Sequence, residues 1–116
     1  MNESAVNEPK TTGFTLETRL EDGARGIMTD RPLGRRGILH SQHGYIETRA
    51  FFPVGTKATV KAVLPESVKD LGAQAVLANA YHLYLQPGSV IVDEAGGLGA
   101  FMNWSGPTYT DSGGFQ

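Results

Sequence analysis

From residue 50 onward, short apolar runs alternate with segments that carry helix punctuation, and this order constrains the fold more than any other feature of the 116-residue sequence. Ala50-Phe-Phe-Pro-Val-Gly55 is a compact apolar run of the buried-strand kind, with Pro53 at its end or where no ladder donor is needed. Residues 56–61 make a short helical or irregular connection. Pro65-Glu-Ser-Val-Lys-Asp-Leu-Gly72 has proline in a first helical turn and glycine just past the end, with Val68 and Leu71 on the inward face. Ala73-Gln-Ala-Val-Leu-Ala78 reads as a second buried strand. Residues 79–85 lead to a stop at Pro87-Gly88, and Ser89 caps a helix over 90–95 that ends at Gly96-Gly97. Phe101-Met-Asn-Trp104 is a short apolar segment, and residues 107–110 form a brief strand. Strand, helix, strand, helix, strand is the pattern of parallel βα units, so the fold class is α/β, a barrel or a layered sheet.

The first fifty residues follow another rule. Residues 1–13 are polar and read as a flexible leader. Phe14-Thr-Leu-Glu-Thr-Arg-Leu20 alternates apolar and polar positions, which predicts a half-buried strand. Residues 21–37 hold Asp22-Gly23, Pro32 and further glycines, and read as a loop. Residues 37–44 and 45–49 are two strands joined by a turn at Gly44. Antiparallel strands over 14–49 therefore precede the βα units of 50–116.

Composition excludes several classes of function. The sequence has no cysteine, which removes disulfides, thiol nucleophiles and cysteine metal sites from these residues. No apolar run approaches the roughly 18 residues of a membrane span. Charge is unevenly spread: Arg25, Arg31, Arg35, Arg36, Arg49, Lys57 and Lys61 face only Asp30 and Glu47 over residues 23–61. Such a segment attracts phosphates, although most basic runs are simply solvated surface. His40 and His43 lie three apart in strand-like sequence, which sends them to opposite faces, and His82 has no nearby partner, so no zinc site is expected within this chain. Gly96-Gly97-Leu98-Gly99 has the wrong spacing for a dinucleotide fingerprint.

Thr110-Asp-Ser-Gly-Gly-Phe-Gln116 is the sharpest chemical feature. A strand over 107–110 delivers Asp111 at its C-terminal end, where parallel sheets place binding groups. The carboxylate can exchange protons with a heterocycle, Gly113 and Gly114 admit a planar ligand, Phe115 offers a stacking face and Gln116 a base-pairing amide. Taken alone, the same residues read first as an Asx turn beside a core Phe. Asn79 follows the strand over 73–78 and belongs on the same rim. It either holds the Asp111 carboxylate or caps the next segment. Tyr81, Tyr84 and Leu85 read as core or interface, and Ser112 has no assignable base.

Several runs occur in one order: Ala50-Phe-Phe-Pro-Val-Gly-Thr56, Ala58-Thr-Val-Lys61, Gly72-Ala-Gln74, Asn79-Ala-Tyr-His-Leu83, Gln86-Pro-Gly88, Gly96-Gly-Leu98, Phe101-Met-Asn-Trp104 and Thr110-Asp-Ser-Gly-Gly-Phe-Gln116. From about residue 14 to the end, the chain resembles the N-terminal portion of the bacterial tRNA-guanine transglycosylases, or queuine tRNA-ribosyltransferases. It departs from the usual pattern at Thr48-Arg49-Ala50 (commonly Thr-Pro-Ala), at Phe52 (commonly Met) and at Ala78-Asn79-Ala80 (commonly Gly-Asn-Thr). Residues 25–33 look like a short insertion.

The resemblance implies a (β/α)8 barrel, of which this chain would hold about the first three strands, behind an N-terminal antiparallel sheet. It implies a cytoplasmic pentosyltransferase that exchanges guanine at the wobble position of tRNAs with GUN anticodons (those for Asp, Asn, His and Tyr) for preQ1 in queuosine biosynthesis. One aspartate attacks the ribose C1′ and a second acts as general acid/base. Asp111 matches the second, Ser112, Gly113, Gly114, Phe115 and Gln116 the base pocket, Asn79 the residue beside the acid/base, and Val54 and Leu77 apolar positions near the ribose. Ala58, Lys61 and Leu83 match positions near a homodimer contact. The attacking aspartate and a Cys/Cys/Cys/His structural zinc site lie downstream in the family. The chain is therefore expected to be an N-terminal portion or a truncated product, inactive alone and exposing unpaired strand edges. The alternatives are an archaeosine-type transglycosylase, which acts on a D-loop guanine with preQ0, and a non-catalytic partner.

Overall fold

Two sheets organise the chain in the computed structural model, which describes residues 12–19 and 34–115. The first is antiparallel, in the order β1 (Gly13–Arg19), β2 (Arg35–Ser41), β3 (Gly44–Glu47). Phe14, Leu39 and Ile46 stand opposite one another across its three strands. A register shift between Leu16 and Thr18 leaves Glu17 as the extra residue of a bulge.

Four expectations for this region change. The strand at 14–20 exists, but all seven residues of β1 are exposed rather than half-buried. It is the edge farthest from the remainder of the chain, and burial in the sheet reaches only Gly37 and Ile46 among the described residues. The expected loop over 21–37 ends sooner, because Arg35 and Arg36 already pair with Arg19 and Thr18, while residues 20–33 lie outside the described residues. The turn falls on Gln42-His43, and Gly44 (φ +137°) pairs with Ser41 as the first residue of β3. Of the expected leader, Gly13 belongs to β1 and residues 1–11 lie outside the described residues.

The Gln74 side chain hydrogen-bonds this sheet to the C-terminal half of the chain, and Gly44 lies beside the Pro107 ring. Gln74 Oε1 accepts from the Glu47 N–H at 2.8 Å, and Gln74 Nε2 donates to the Glu47 carbonyl at 3.2 Å. The amide thus stands in for a neighbouring strand.

The second sheet is parallel: β4 (Val76–Ala78) and β5 (Thr108–Thr110) align Val76 with Thr108, Leu77 with Tyr109 and Ala78 with Thr110. The apolar run at 50–55 joins β4 through one bridge, Val54 to Leu77, rather than as the buried strand expected. The Leu77 N–H donates to the Pro53 carbonyl at 2.9 Å and the Gly55 N–H to the Leu77 carbonyl at 2.7 Å. Pro53 has no N–H to extend the ladder, and Val54 remains 54% exposed because no described element covers its face. Residues 56–61 are irregular.

Helix α1 (Pro65–Asp70) connects this run to β4, and α2 (Ala80–Leu85), α3 (Ser89–Glu94) and α4 (Leu98–Met102) connect β4 to β5. Proline opens α1 as expected, and Val68 is buried. Leu71, however, is 84% exposed, because it caps the helix just before the chain reverses at Gly72 (φ +88°). The Gly72 N–H bonds the Lys69 carbonyl and the Ala73 N–H the Val68 carbonyl, the two bonds of a Schellman motif. Gly96 and Gly97 close α3 in the same way, and Asn103 (φ +56°) and Trp104 close α4. Ser89 is the first helical residue of α3 and makes no capping bond; Gly88 (φ +99°) is the N-cap. The segment at 101–104 is not a free-standing apolar piece but the end of α4 and the turn after it.

The core forms on one face of the parallel sheet. Val76 and Ala78 pack there with Ala58, Val68, Leu83, Met102 and Trp104. The indole N–H of Trp104 donates to the Pro107 carbonyl at 3.0 Å, so its one polar atom is satisfied inside the cluster.

Candidate functional site

Residues alternate faces along a strand, so Leu77 and Asn79 share the face opposite the buried Val76 and Ala78. Tyr109 and Asp111 share it on the neighbouring strand, and Val54 joins through its bridge to Leu77. This face carries Tyr109 at 57% exposure and Val54 at 54%, with Leu77 half-buried between them. Phe52 approaches Tyr109 at a ring separation of 6.2 Å.

At the C-terminal edge of that face, Asn79 and Asp111 meet. Asn79 Nδ2 donates to Asp111 Oδ2 at 2.5 Å, and the main-chain N–H of Ala80 donates to Asp111 Oδ1 at 2.9 Å. Asn79 Oδ1 accepts from the His82 N–H at 3.0 Å, capping α2. The two roles that sequence left open for Asn79 are therefore both filled, by the two ends of one amide. Asn79 is buried (9% exposed) and Asp111 is half-buried.

The Ala80 donor was missed by sequence reasoning. Its signal was the start of a helix at residue 80, since first-turn N–H groups lack partners within the helix. Those spare donors make the start of α2 a natural seat for a carboxylate.

After Asp111 the chain passes close to α2. Gly113 has φ +65°, and a Cβ there would stand 3.0 Å from the Tyr81 nitrogen and 3.4 Å from the Ala80 Cβ. Ser112 Oγ accepts from the Gly114 N–H at 3.3 Å, and Phe115 is fully exposed. Gln116 lies outside the described residues. Tyr84 and Leu85 are exposed rather than core, and Tyr81 is half-buried with its ring edge-on to His82. Ala58 and Leu83 are buried in the core cluster, whereas Lys61 is exposed.

The chemistry of the arrangement comes from the lone pairs. Each Asp111 oxygen accepts one bond from the chain, which leaves further acceptor sites directed elsewhere. A fixed, half-buried carboxylate of this kind suits proton exchange with a ligand laid on the open face. Among the described residues no group of three or more His, Cys, Asp or Glu is placed to hold a metal ion. No described helix is long and apolar enough to cross a membrane.

A model of the family described as queuine tRNA-ribosyltransferase matches residues 30–116. Among curated proteins of that name, the one from Synechococcus elongatus is 63% identical over 83 residues, covering 72% of this chain and 22% of its own length. The Halalkalibacterium halodurans protein is 63% identical over 91 residues, 78% of this chain and 24% of its own. The Desulforudis audaxviator protein is 59% identical over 86 residues, 74% and 23% respectively. The chain belongs to the queuine tRNA-ribosyltransferase family. It spans less than a quarter of the length of these relatives.

Proposed function

We propose that these residues form part of the base pocket of a tRNA-guanine transglycosylase that exchanges guanine at the wobble position of GUN-anticodon tRNAs for preQ1. The observation that carries this reading is the Asn79–Asp111 bond, which fixes a carboxylate at the rim of two adjacent parallel strands. The names of the relatives favour the queuosine-type reaction over the archaeosine type.

In this reading an aspartate outside these residues attacks the ribose C1′. The glycosidic bond breaks, its electron pair leaves with guanine, and guanine takes a proton from the Asp111 carboxyl. The incoming base gives a proton to the Asp111 carboxylate as its nitrogen displaces the aspartate from C1′. A purine anion is a poor leaving group, so the proton source contributes on the order of 10²- to 10⁴-fold. Ser112, Gly113 and Gly114 line the base, Phe115 stacks on it, Gln116 meets its edge, and Val54 and Leu77 flank the ribose.

The run at 53–55, β4 and β5 are then the first three strands of a (β/α)8 barrel over 50–116, preceded by the antiparallel strands of 14–49 and the leader of 1–13. Homodimer contacts run near Ala58, Lys61 and Leu83, and the enzyme is cytoplasmic. The family's zinc does not fit the residues present here: the sequence has no cysteine and the described residues offer no ligand cluster, so no step is routed through it. Without the attacking aspartate, residues 1–116 alone do not turn over.

The test is a chimera in which residues 1–116 replace the corresponding portion of the Halalkalibacterium halodurans relative, assayed by incorporation of labelled guanine into tRNA. Incorporation at the wobble guanine is expected, and Asp111→Ala lowers it on the order of 10²- to 10⁴-fold. An Asp111→Ala chimera as fast as its parent sinks the acid/base role, and label in the D-loop points to the archaeosine type.

A further inference from the structure

Three side chains stand level in one row on the open face of the parallel sheet. Leu77 pairs with Tyr109 on one side and bridges Val54 on the other. Two members of the row are hydrocarbon. The third is a phenol, 57% exposed, and its hydroxyl makes no hydrogen bond among the described residues.

The Tyr109 ring is nonetheless held. Phe52, from the run on the far side of β4, meets it at 6.2 Å between centroids with the ring planes 37° apart. The two rings therefore reach each other across β4. Ala75 lies two residues before Leu77 and shares its face. Its single methyl leaves room for that approach, and it is fully buried.

Tyr109 also precedes Asp111 by two residues on the same face, about 6.6 Å along the strand at roughly 3.3 Å per residue. A nucleoside spans such an interval. With its base at the free lone pairs of Asp111, its sugar falls on the Val54–Leu77–Tyr109 row. A ligand laid there takes water from the phenol, and a hydroxyl closed into an otherwise hydrocarbon row needs a partner from the ligand. Among the sugar hydroxyls, the 2′ group sits on the carbon next to C1′ and so lies nearest the base. It is also the group by which a protein tells RNA from DNA.

We propose that Tyr109 is a specificity residue that reads the sugar: its phenol hydrogen-bonds the 2′-hydroxyl of the nucleotide whose base lies at Asp111. This rests on the transglycosylase reading of Asp111, and it gives a part to a residue that the reading leaves unused. A site built to bond a substrate hydroxyl discriminates against the analogue that lacks it.

The experiment compares the chimera with its Tyr109→Phe variant on two anticodon stem-loops that differ by one oxygen, with guanosine or 2′-deoxyguanosine at the exchanged position. Phenylalanine keeps the ring and its contact with Phe52, so folding is not at stake. For guanine incorporation into the ribo stem-loop, kcat/KM is expected to fall about 3- to 10-fold in Tyr109→Phe, the span of one net hydrogen bond. Incorporation into the deoxy stem-loop is expected to stay at the parent rate. Equal losses on both stem-loops would make the hydroxyl merely structural, and no loss on either would leave it without a role; each overturns the proposal. Binding of the two stem-loops, followed by fluorescence anisotropy without turnover, reads the same preference, and the ribo-to-deoxy affinity ratio is expected to drop toward one in Tyr109→Phe. A parent chimera that does not distinguish the two in binding overturns the sugar contact whether or not guanine is incorporated. A ratio that depends on the phenol beside absent incorporation keeps the contact and removes the exchange reaction. Working incorporation beside a ratio unmoved by Tyr109→Phe does the reverse, and leaves the role of Asp111 intact.

Discussion

Asn79 gives its amide oxygen to the start of α2 and its amide nitrogen to Asp111, so two substitutions can separate the roles. Asn79→Ala removes both: a loss of about 1 kcal/mol from the missing cap is expected, together with a 10- to 100-fold slower exchange in the chimera from the released carboxylate. Asn79→Ser restores an acceptor for the His82 N–H but is too short to reach Asp111. Stability therefore recovers and the rate does not, as denaturation and guanine incorporation will show. Recovery of both would mean that the amide merely caps. A second residue-scale prediction concerns Ala62, which is exposed with φ +62°. Ala62→Gly is expected to stabilise by about 1 kcal/mol in urea denaturation, because an L side chain is strained there. The sequence offered both roles of Asn79 but could not choose between them. That both are filled depends on where β5 lies beside β4, a contact 32 residues distant along the chain.

Elements were legible where glycine or proline punctuates them. Pro65 and Gly72 bracket α1, and Gly96-Gly97 closes α3, because a Schellman ending needs a left-handed residue. Helix α4 escaped notice for the same reason inverted: Gly97 and Gly99 read as loop, while its ending uses Asn103. Alternation located β1 correctly yet misjudged its burial, since period two says which residues share a face but not whether anything covers it. The turn after β5 yields a prediction at this scale. Gly113→Ala meets both a positive φ and the Tyr81 nitrogen, so the loop must leave α2. A loss of about 1–2 kcal/mol is expected, with guanine exchange in the chimera falling alongside it. An unchanged melting temperature would place the loop elsewhere.

At the scale of the molecule, the parallel sheet buries one face and leaves the other open, with Val54 and Tyr109 exposed along it. If that face is the interior of a barrel, the 116-residue chain alone should bind a hydrophobic dye strongly and self-associate, and the chimera should do neither. A monomeric chain that leaves the dye dark would mean that the open face is a finished surface. The two sheets are joined through Gln74, whose amide bonds only the main chain of Glu47. A clamp that grips backbone is indifferent to the side chain it grips. Position 47 can therefore drift to any residue that keeps an N–H, whereas position 74 is held to an amide long enough to reach. Proline at 47 and glutamate at 74 should each undock the antiparallel sheet, one by deleting the donor and the other by replacing the amide N–H₂ with an oxygen facing a carbonyl. These two bonds ask for an amide at position 74 and for main-chain groups alone at position 47.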